Sequence, residues 1–327
     1  MSPVRRKVAC LFPAFAMRYK DFSRRSGFPP DAGNCQAEPD LPGYQEEVAG
    51  FLAQASAAVE IDASKFERPG ESVLGNGLQD DLQEQYACYV DSCAVGSLLK
   101  KRKIACDYVA GYSMGLFAAL YHSAAVSFED GLRLIHTAST FAHEALDDGQ
   151  YGMGVVVGLT ADQLGGLIAE HCREVEVADV CGPHVVIASG RRSDLQTLLE
   201  VSAAEGCLHA RLLPVCIPFH SSLLRGVEGR MRGFLRQMQI RPPACGVVSC
   251  VDQKVLSTEE AVREEAATNV WHPIRWFQTM NRLLELGVDV FVECGLSDRL
   301  CNLARNLPGH CQIYHPRKFD RLFAAVT

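Results

Sequence analysis

The sequence predicts an α/β protein, with a large domain built on a parallel sheet and a small inserted domain. Three observations carry this expectation. Short β-rich apolar runs alternate with helical segments along much of the chain, as they do when helices cover the faces of a sheet. From Met153 onward the alternation tightens into a βαββαβ-like order, which suits a ferredoxin-like unit. Hydrophobic residues make up 48% of the 327 and charged residues 22%, enough apolar surface for a substantial core and too little charge for a disordered chain.

The elements follow in order. Residues 8–12 form an apolar run ending at Pro13, as a buried strand does. Residues 21–77 are broken by Pro29, Pro30, Pro39, Pro42 and Pro69 and read as irregular. The exception is a helix over 44–59, where Val48, Phe51, Leu52, Ala55 and Val59 share a face. A helix over 78–99 precedes a strand over 108–110, and glycines and a serine then lead into an apolar helix over 116–122. In the insert, 155–157, 174–180 and 185–188 read as strands, and 161–171 and 193–205 as helices. An apolar run over 212–217 returns the chain to the main domain. There the sequence predicts a helix over 223–238, a strand over 246–250, a helix over 276–286 and a strand over 288–292. This places the large domain in 1–148 and 217–327 and the small one in 149–216.

Composition narrows the function classes. A net charge of −7 argues against nucleic-acid binding, which needs concentrated positive charge. No stretch approaches the roughly 18 apolar residues of a membrane helix. The opening MSPVRRKVACLFPAF has too short an apolar run for a signal peptide, so the expectation is a cytoplasmic protein without membrane attachment. Fourteen cysteines tempt a disulfide or metal reading, but no C-x-x-C pair exists. Cys10, Cys106, Cys216 and Cys294 stand at apolar positions and read as small buried hydrophobes, with no metal site.

Gly111-Tyr112-Ser113-Met114-Gly115 fits G-x-S-x-G between a predicted strand and a predicted helix. Such a turn forces the serine into a strained, exposed position, and the following helix offers free N–H groups where an oxyanion develops. By itself the pattern also fits a glycine-flanked serine in a tight turn; the flanking strand and helix favour the nucleophile. A serine hydroxyl needs a base. His220 stands out among ten histidines because Pro218 breaks the chain just before it, past an apolar run.

These residues resemble the malonyl-CoA:acyl carrier protein transacylases and the acyltransferase domains of polyketide synthases, over nearly the whole chain. Leu11-Phe12-Pro13 is similar to the family's opening FPGQG, Gln83-Glu84-Gln85-Tyr86-Ala87 to its TQPA helix, and Gly111–Gly115 to its GHSLG elbow. The segment from Ser127 to Leu134 is similar to the helix after the elbow. Gly182–Gly190 is similar to SPGQVVISG, Ile217–Ser221 to the segment bearing the catalytic histidine, Asn269–Trp276 to QLYNPVRW, and Phe291–Gly295 to FIEVGP. The resemblance implies a hydrolase-like large domain, a small ferredoxin-like domain, and a Ser113–His220 dyad. It further implies that the Asn269 backbone carbonyl holds His220, that the Met114 and Phe15 backbone N–H groups form the oxyanion hole, and that Tyr112, Ala138, Phe219 and Gln85 surround the acyl group.

The departures concentrate at the substrate. The family's GQG becomes Ala14-Phe15-Ala16, its elbow histidine becomes Tyr112, and the residue that often follows the elbow as glutamate is Leu116. The arginine that clamps the malonyl carboxylate is replaced by Ala138, because the segment reads Ala138-Ser139-Thr140-Phe141-Ala142-His143-Glu144-Ala145. A carboxylate entering an apolar site unpaired is costly. His136 and His143 read as solvated helix surface. The expected reaction is therefore transfer of an uncharged acyl group, acetyl or larger, from acyl-CoA or a carrier thioester. It proceeds through acyl-Ser113 to the phosphopantetheine thiol of an acyl carrier protein, with no bound cofactor and in a monomer. Three alternatives remain: a thioester hydrolase that edits carrier proteins, a malonyl transferase if another cation reaches the pocket, and a non-catalytic interaction module. Retention of Ser113, His220, Gly111 and Gly115 counts against the last.

Overall fold

The computed structural model describes residues 6–14, 41–62, 75–146, 149–296, 298–305, 307–309 and 311–326. The chain opens with β1 (Lys7–Phe12), α1 (Tyr44–Ala58), α2 (Leu78–Lys101), β2 (Tyr108–Gly111), α3 (Gly115–His122) and α4 (Phe128–Leu146). The insert follows as β3 (Tyr151–Val157), α5 (Ala161–His171), β4 (Val175–Gly182), β5 (Val185–Arg191), α6 (Arg192–Ala204) and β6 (His209–Leu212). The chain then supplies α7 (Val227–Leu235), β7 (Gly246–Val248), β8 (Val255–Leu256), α8 (Glu259–Thr268), α9 (Trp276–Glu285) and β9 (Val288–Glu293). It ends with α10 (Arg299–Ala304), β10 (Gln312–Tyr314) and α11 (Phe319–Val326).

The large sheet has the order β10-β9-β1-β2-β7-β8 and is parallel except for its β7–β8 edge. β1 lies inside it, and Val8 to Phe12 are all buried, which is why this run is continuously apolar rather than alternating. Helix α2 is buried through most of its length and carries Asp80 and Asp81 in its first turn and Lys100 and Lys101 in its last, complementing the helix dipole.

The small sheet is antiparallel with the order β4-β5-β3-β6, the strand arrangement of a ferredoxin-like βαββαβ unit. Its helix α5 starts with a Thr160–Gln163 capping box. Val156, Leu164, Val186, Leu195 and Leu198 are fully buried in a core of its own, so the insert packs as a unit. It spans 151–212, within the expected 149–216. At the seam, Asp179 of β4 forms an isolated parallel bridge with Ile274 of the large domain.

The structure corrects several expectations. The apolar run over 212–217 is a strand only to Leu212. The helix expected over 223–238 is a 3-10 turn at Ser222–Leu224 followed by α7, with Gly226 between them. Cys10 and Cys106 form a disulfide rather than serving as isolated hydrophobes, because β1 and the turn before β2 bring their Cα atoms to 6.0 Å. His143 is buried against Asp81 at 3.2 Å rather than solvated, whereas His136 is exposed and meets the Tyr86 hydroxyl. No helix among the described residues is long and apolar enough to cross a membrane.

Candidate active site

Ser113 occupies the turn between β2 and α3 with φ 53°, the left-handed region that a non-glycine residue enters at a cost. Both flanking glycines are required by contact. A Cβ on Gly111 would lie 2.2 Å from the Leu116 nitrogen, and one on Gly115 would lie 2.1 Å from the Phe12 carbonyl oxygen. The turn is held by Tyr112 N–H to Phe12 O at 2.8 Å and Gly115 N–H to Tyr112 O at 2.9 Å. Ser113 thereby projects at the carboxyl end of the parallel strands, where open α/β sheets place their ligands.

His220 reaches the serine from the other side. Its Nε2 lies 2.7 Å from Ser113 Oγ. Its Nδ1 lies 3.0 Å from the His272 carbonyl oxygen, which can only accept, so Nδ1 carries the proton and Nε2 faces the hydroxyl with its lone pair. Burial pushes the His220 pKa down to about 4, with the His272 and Asn269 carbonyls opposing, so the imidazole is neutral at pH 7 and able to take a proton. His220 also has a positive φ, 60°, and its N–H donates to Val270 O at 2.9 Å.

The turn after α8 thus backs both Ser113 and His220. Val270 and His272 carbonyls hold His220, while the Asn269 side-chain amide donates to Ser113 O at 3.3 Å. The sequence expectation put the Nδ1 acceptor at Asn269; in the structure the 3.0 Å contact is with the His272 carbonyl, and the Asn269 carbonyl also favours the protonated ring. The reason lies in the turn, where His272 N–H folds back to Thr268 O and points the His272 carbonyl at the imidazole.

Met114 stands at the N-cap of α3, the end of a helix whose free N–H groups can stabilise an oxyanion. Phe15 lies outside the described residues. The cavity beside Ser113 and His220 is lined by Tyr112, Met114, Met153, Asp179, Leu213, Pro214, Val215, Phe219 and Arg299. Of the expected pocket residues, Tyr112 and Phe219 are there; Gln85 and Ala138 are not among its lining residues. Ala138 is fully buried in the apolar core, and Gln85 Oε1 accepts from Ser139 Oγ at 2.7 Å, which fixes this stretch of α4 against α2.

Sequence reasoning missed Met153, Leu213, Val215, Asp179 and Arg299. The apolar ones lie on β3 or just after β6 and carry no local signature. Asp179 leaves a faint one, an acid within the β-rich run of β4. One Cys/His group also gathers, Cys10, Cys106 and His122, with ligand atoms within 4.8 Å of one another. Its two sulfurs are joined to each other, which leaves no thiolate for a metal while the bond stands.

The acyl transferase domain family matches residues 83–297, more than half of the chain. The chain belongs to that family, and it is an acyltransferase. Among curated proteins it is 26% identical over 243 residues to the malonyl CoA-acyl carrier protein transacylase of Bacillus subtilis, covering 72% of this chain and 77% of that one. It is 29% identical over 201 residues to the polyketide biosynthesis protein ThaF of Burkholderia thailandensis, covering 61% of this chain and 17% of that protein. Among solved structures, a malonyl-CoA:acyl carrier protein transacylase from Xanthomonas oryzae superposes with a TM-score of 0.85 at 20% identity, covering 98% and 99% of the two chains. A malonyl-transacylase in complex with its type II polyketide acyl-carrier protein superposes with a TM-score of 0.79 at 20% identity and 94% coverage of each chain. Both support the fold.

Proposed function

We propose that this acyltransferase moves an uncharged acyl group, acetyl or larger, from a CoA or carrier thioester to an acyl carrier protein in fatty acid or polyketide biosynthesis. Ser113 Oγ attacks the thioester carbonyl while His220 Nε2 takes its proton, and His220 gives that proton to the departing sulfur, so a thiol leaves as the acyl-serine forms. The Met114 N–H stabilises the oxyanion, with the Phe15 N–H as its expected second donor. The phosphopantetheine thiol of the carrier then attacks the acyl-serine, giving its proton to the neutral His220, which returns it to Ser113 Oγ as the Ser113–acyl bond breaks. The residues do this without a bound cofactor. The single observation that carries the reading is the 2.7 Å Ser113–His220 contact at a strained elbow inside a largely apolar cleft. Its apolar wall, Met153, Leu213, Val215 and Phe219, suits an uncharged acyl chain, and the buried Ala138 offers no charge to a carboxylate.

Arg299 favours a second reading. It lines the cavity, and its guanidinium can draw a carboxylated donor such as malonyl into it. Against this stands Asp179, which also lines the cavity and whose carboxylate repels another. Intact mass after brief incubation with acetyl-, hexanoyl-, benzoyl- and malonyl-CoA separates the readings, with S113A as control. Neutral adducts lost in S113A support the first; malonyl labelling stronger than the others, lost in R299Q, supports the second. No adduct from any donor overturns transfer from CoA.

A further inference from the structure

Asp179 is 1% exposed, an acid buried where the two domains meet. The register of β4 against β5 shifts between Val177 and Asp179, and the bulge leaves Ala178 and Asp179 both buried. The carboxylate accepts three hydrogen bonds drawn from both domains. Tyr112 Oη and Cys181 Sγ each donate to Oδ2 at 2.7 Å, and the Trp276 N–H donates to Oδ1 at 3.2 Å. The backbone is stitched at the same place, by Ile274 N–H to Ala178 O at 2.9 Å.

Tyr112 immediately precedes Ser113. Its N–H is held by β1, its ring meets Trp276 edge-on at 5.3 Å, and its hydroxyl is held by Asp179. It also forms part of the cavity wall. One side of the acyl pocket is therefore fixed by a bond from the small domain. The apolar lining residues Met153 and Leu213 are carried on or just after small-domain strands. Whatever sets the distance between elbow and small domain also sets the width of the pocket.

We propose that Asp179 is a positioning residue: its carboxylate latches the small domain to the nucleophile elbow through Tyr112, and so fixes pocket width and the size of acyl group that reaches Ser113. The proposal rests on the acyl-transfer reading above and adds the determinant of acyl size. The groups facing Asp179 are Tyr112, Cys181, Cys250 and Arg299. Burial pushes the Asp179 pKa up to about 6, while the Cys181, Tyr112 and Trp276 hydrogen bonds and the Arg299 charge oppose it. Once protonated, the carboxyl must donate one hydrogen and gives up an acceptor site, so the latch loosens as pH falls through that value.

The test measures acyl-Ser113 formation from acetyl-, hexanoyl- and octanoyl-CoA between pH 5 and 8 in wild type, D179N and Y112F, with melting temperatures alongside. The latch predicts that both variants shift the octanoyl-to-acetyl ratio of kcat/KM towards the longer donor by roughly tenfold, the scale on which apolar pockets discriminate. It also predicts a wild-type ratio that drifts the same way below pH 6, and a D179N ratio that does not. Y112F removes one hydroxyl from a retained ring, and decides the matter if D179N does not fold. Equal losses on all donors, or unchanged ratios, overturn the latch. Wild-type protein that no donor acylates at Ser113 overturns the transfer reading and the latch with it.

Discussion

Ser113 and His220 lie 2.7 Å apart, yet they are delivered by differently built stretches of chain. The elbow is local. Within five residues a strand ends, the serine turns into the left-handed region, and a helix starts, with glycines on either side because nothing larger fits. The histidine side is distributed. His220 sits in irregular chain after β6, and what holds it comes from backbone carbonyls some fifty residues later, at Val270 and His272. The elbow thus depends on side-chain identity, whereas the support of the base depends on where a backbone turn is placed.

The comparison is broken most severely by removing the proposed nucleophile and base. S113A eliminates the acyl-enzyme adduct in intact mass spectra, and H220A slows acylation by on the order of 10²–10⁴-fold, read in stopped-flow release of CoA. The elbow is next. G115A drives a methyl group into the Phe12 carbonyl, and should cost about 3 kcal/mol or more of stability. In a thermal melt of a 327-residue chain that is a fall in Tm of roughly 4 °C or more; an unchanged melt would contradict the close approach.

Smaller effects sharpen the contrast. N269A removes the amide bond to Ser113 O, a single neutral hydrogen bond worth about 1 kcal/mol, and should slow acylation by about fivefold. The base must be neutral, and burial holds the His220 pKa near 4. Acylation should therefore stay level from neutral pH down past 6 and fall only as pH drops through about 4. A loss centred near 6.5 would show an imidazole still in contact with water. H272A keeps the carbonyl that holds Nδ1 and should change the rate by less than about threefold, within the ordinary range of a surface substitution. A larger loss would make the His272 side chain part of the mechanism.

Much of this could be read before folding. Alternating strands and helices announced the two sheets, and the G-x-S-x-G turn announced Ser113, because their causes lie within a few residues of one another. The resemblance located His220 and the turn that supports it. The 3.0 Å acceptor, the His272 carbonyl, was not named beside Asn269, since which carbonyl of a turn points at a ring is settled by how the turn folds back on Thr268. Gln85 and Ala138 were assigned to the pocket by the family resemblance, and the packing of α2 and α4 leaves them outside its lining.

The chain's own order of residues determined the α/β class, the inserted ferredoxin-like unit and the strained glycine-flanked turn at Ser113. Each follows from periodicity or from side chains adjacent in sequence, whereas Ala138 in place of the family's arginine is visible only through the resemblance. Only the tertiary structure decided what faces the acyl group. Asp179, Met153, Leu213 and Arg299 come from β4, from β3, from just after β6 and from the start of α10, and meet at one cavity. Burial at the domain seam gives Asp179 its raised pKa and its three partners. Desolvation and hydrogen-bond geometry are properties of that enclosure, and a linear pattern of residue types does not encode them.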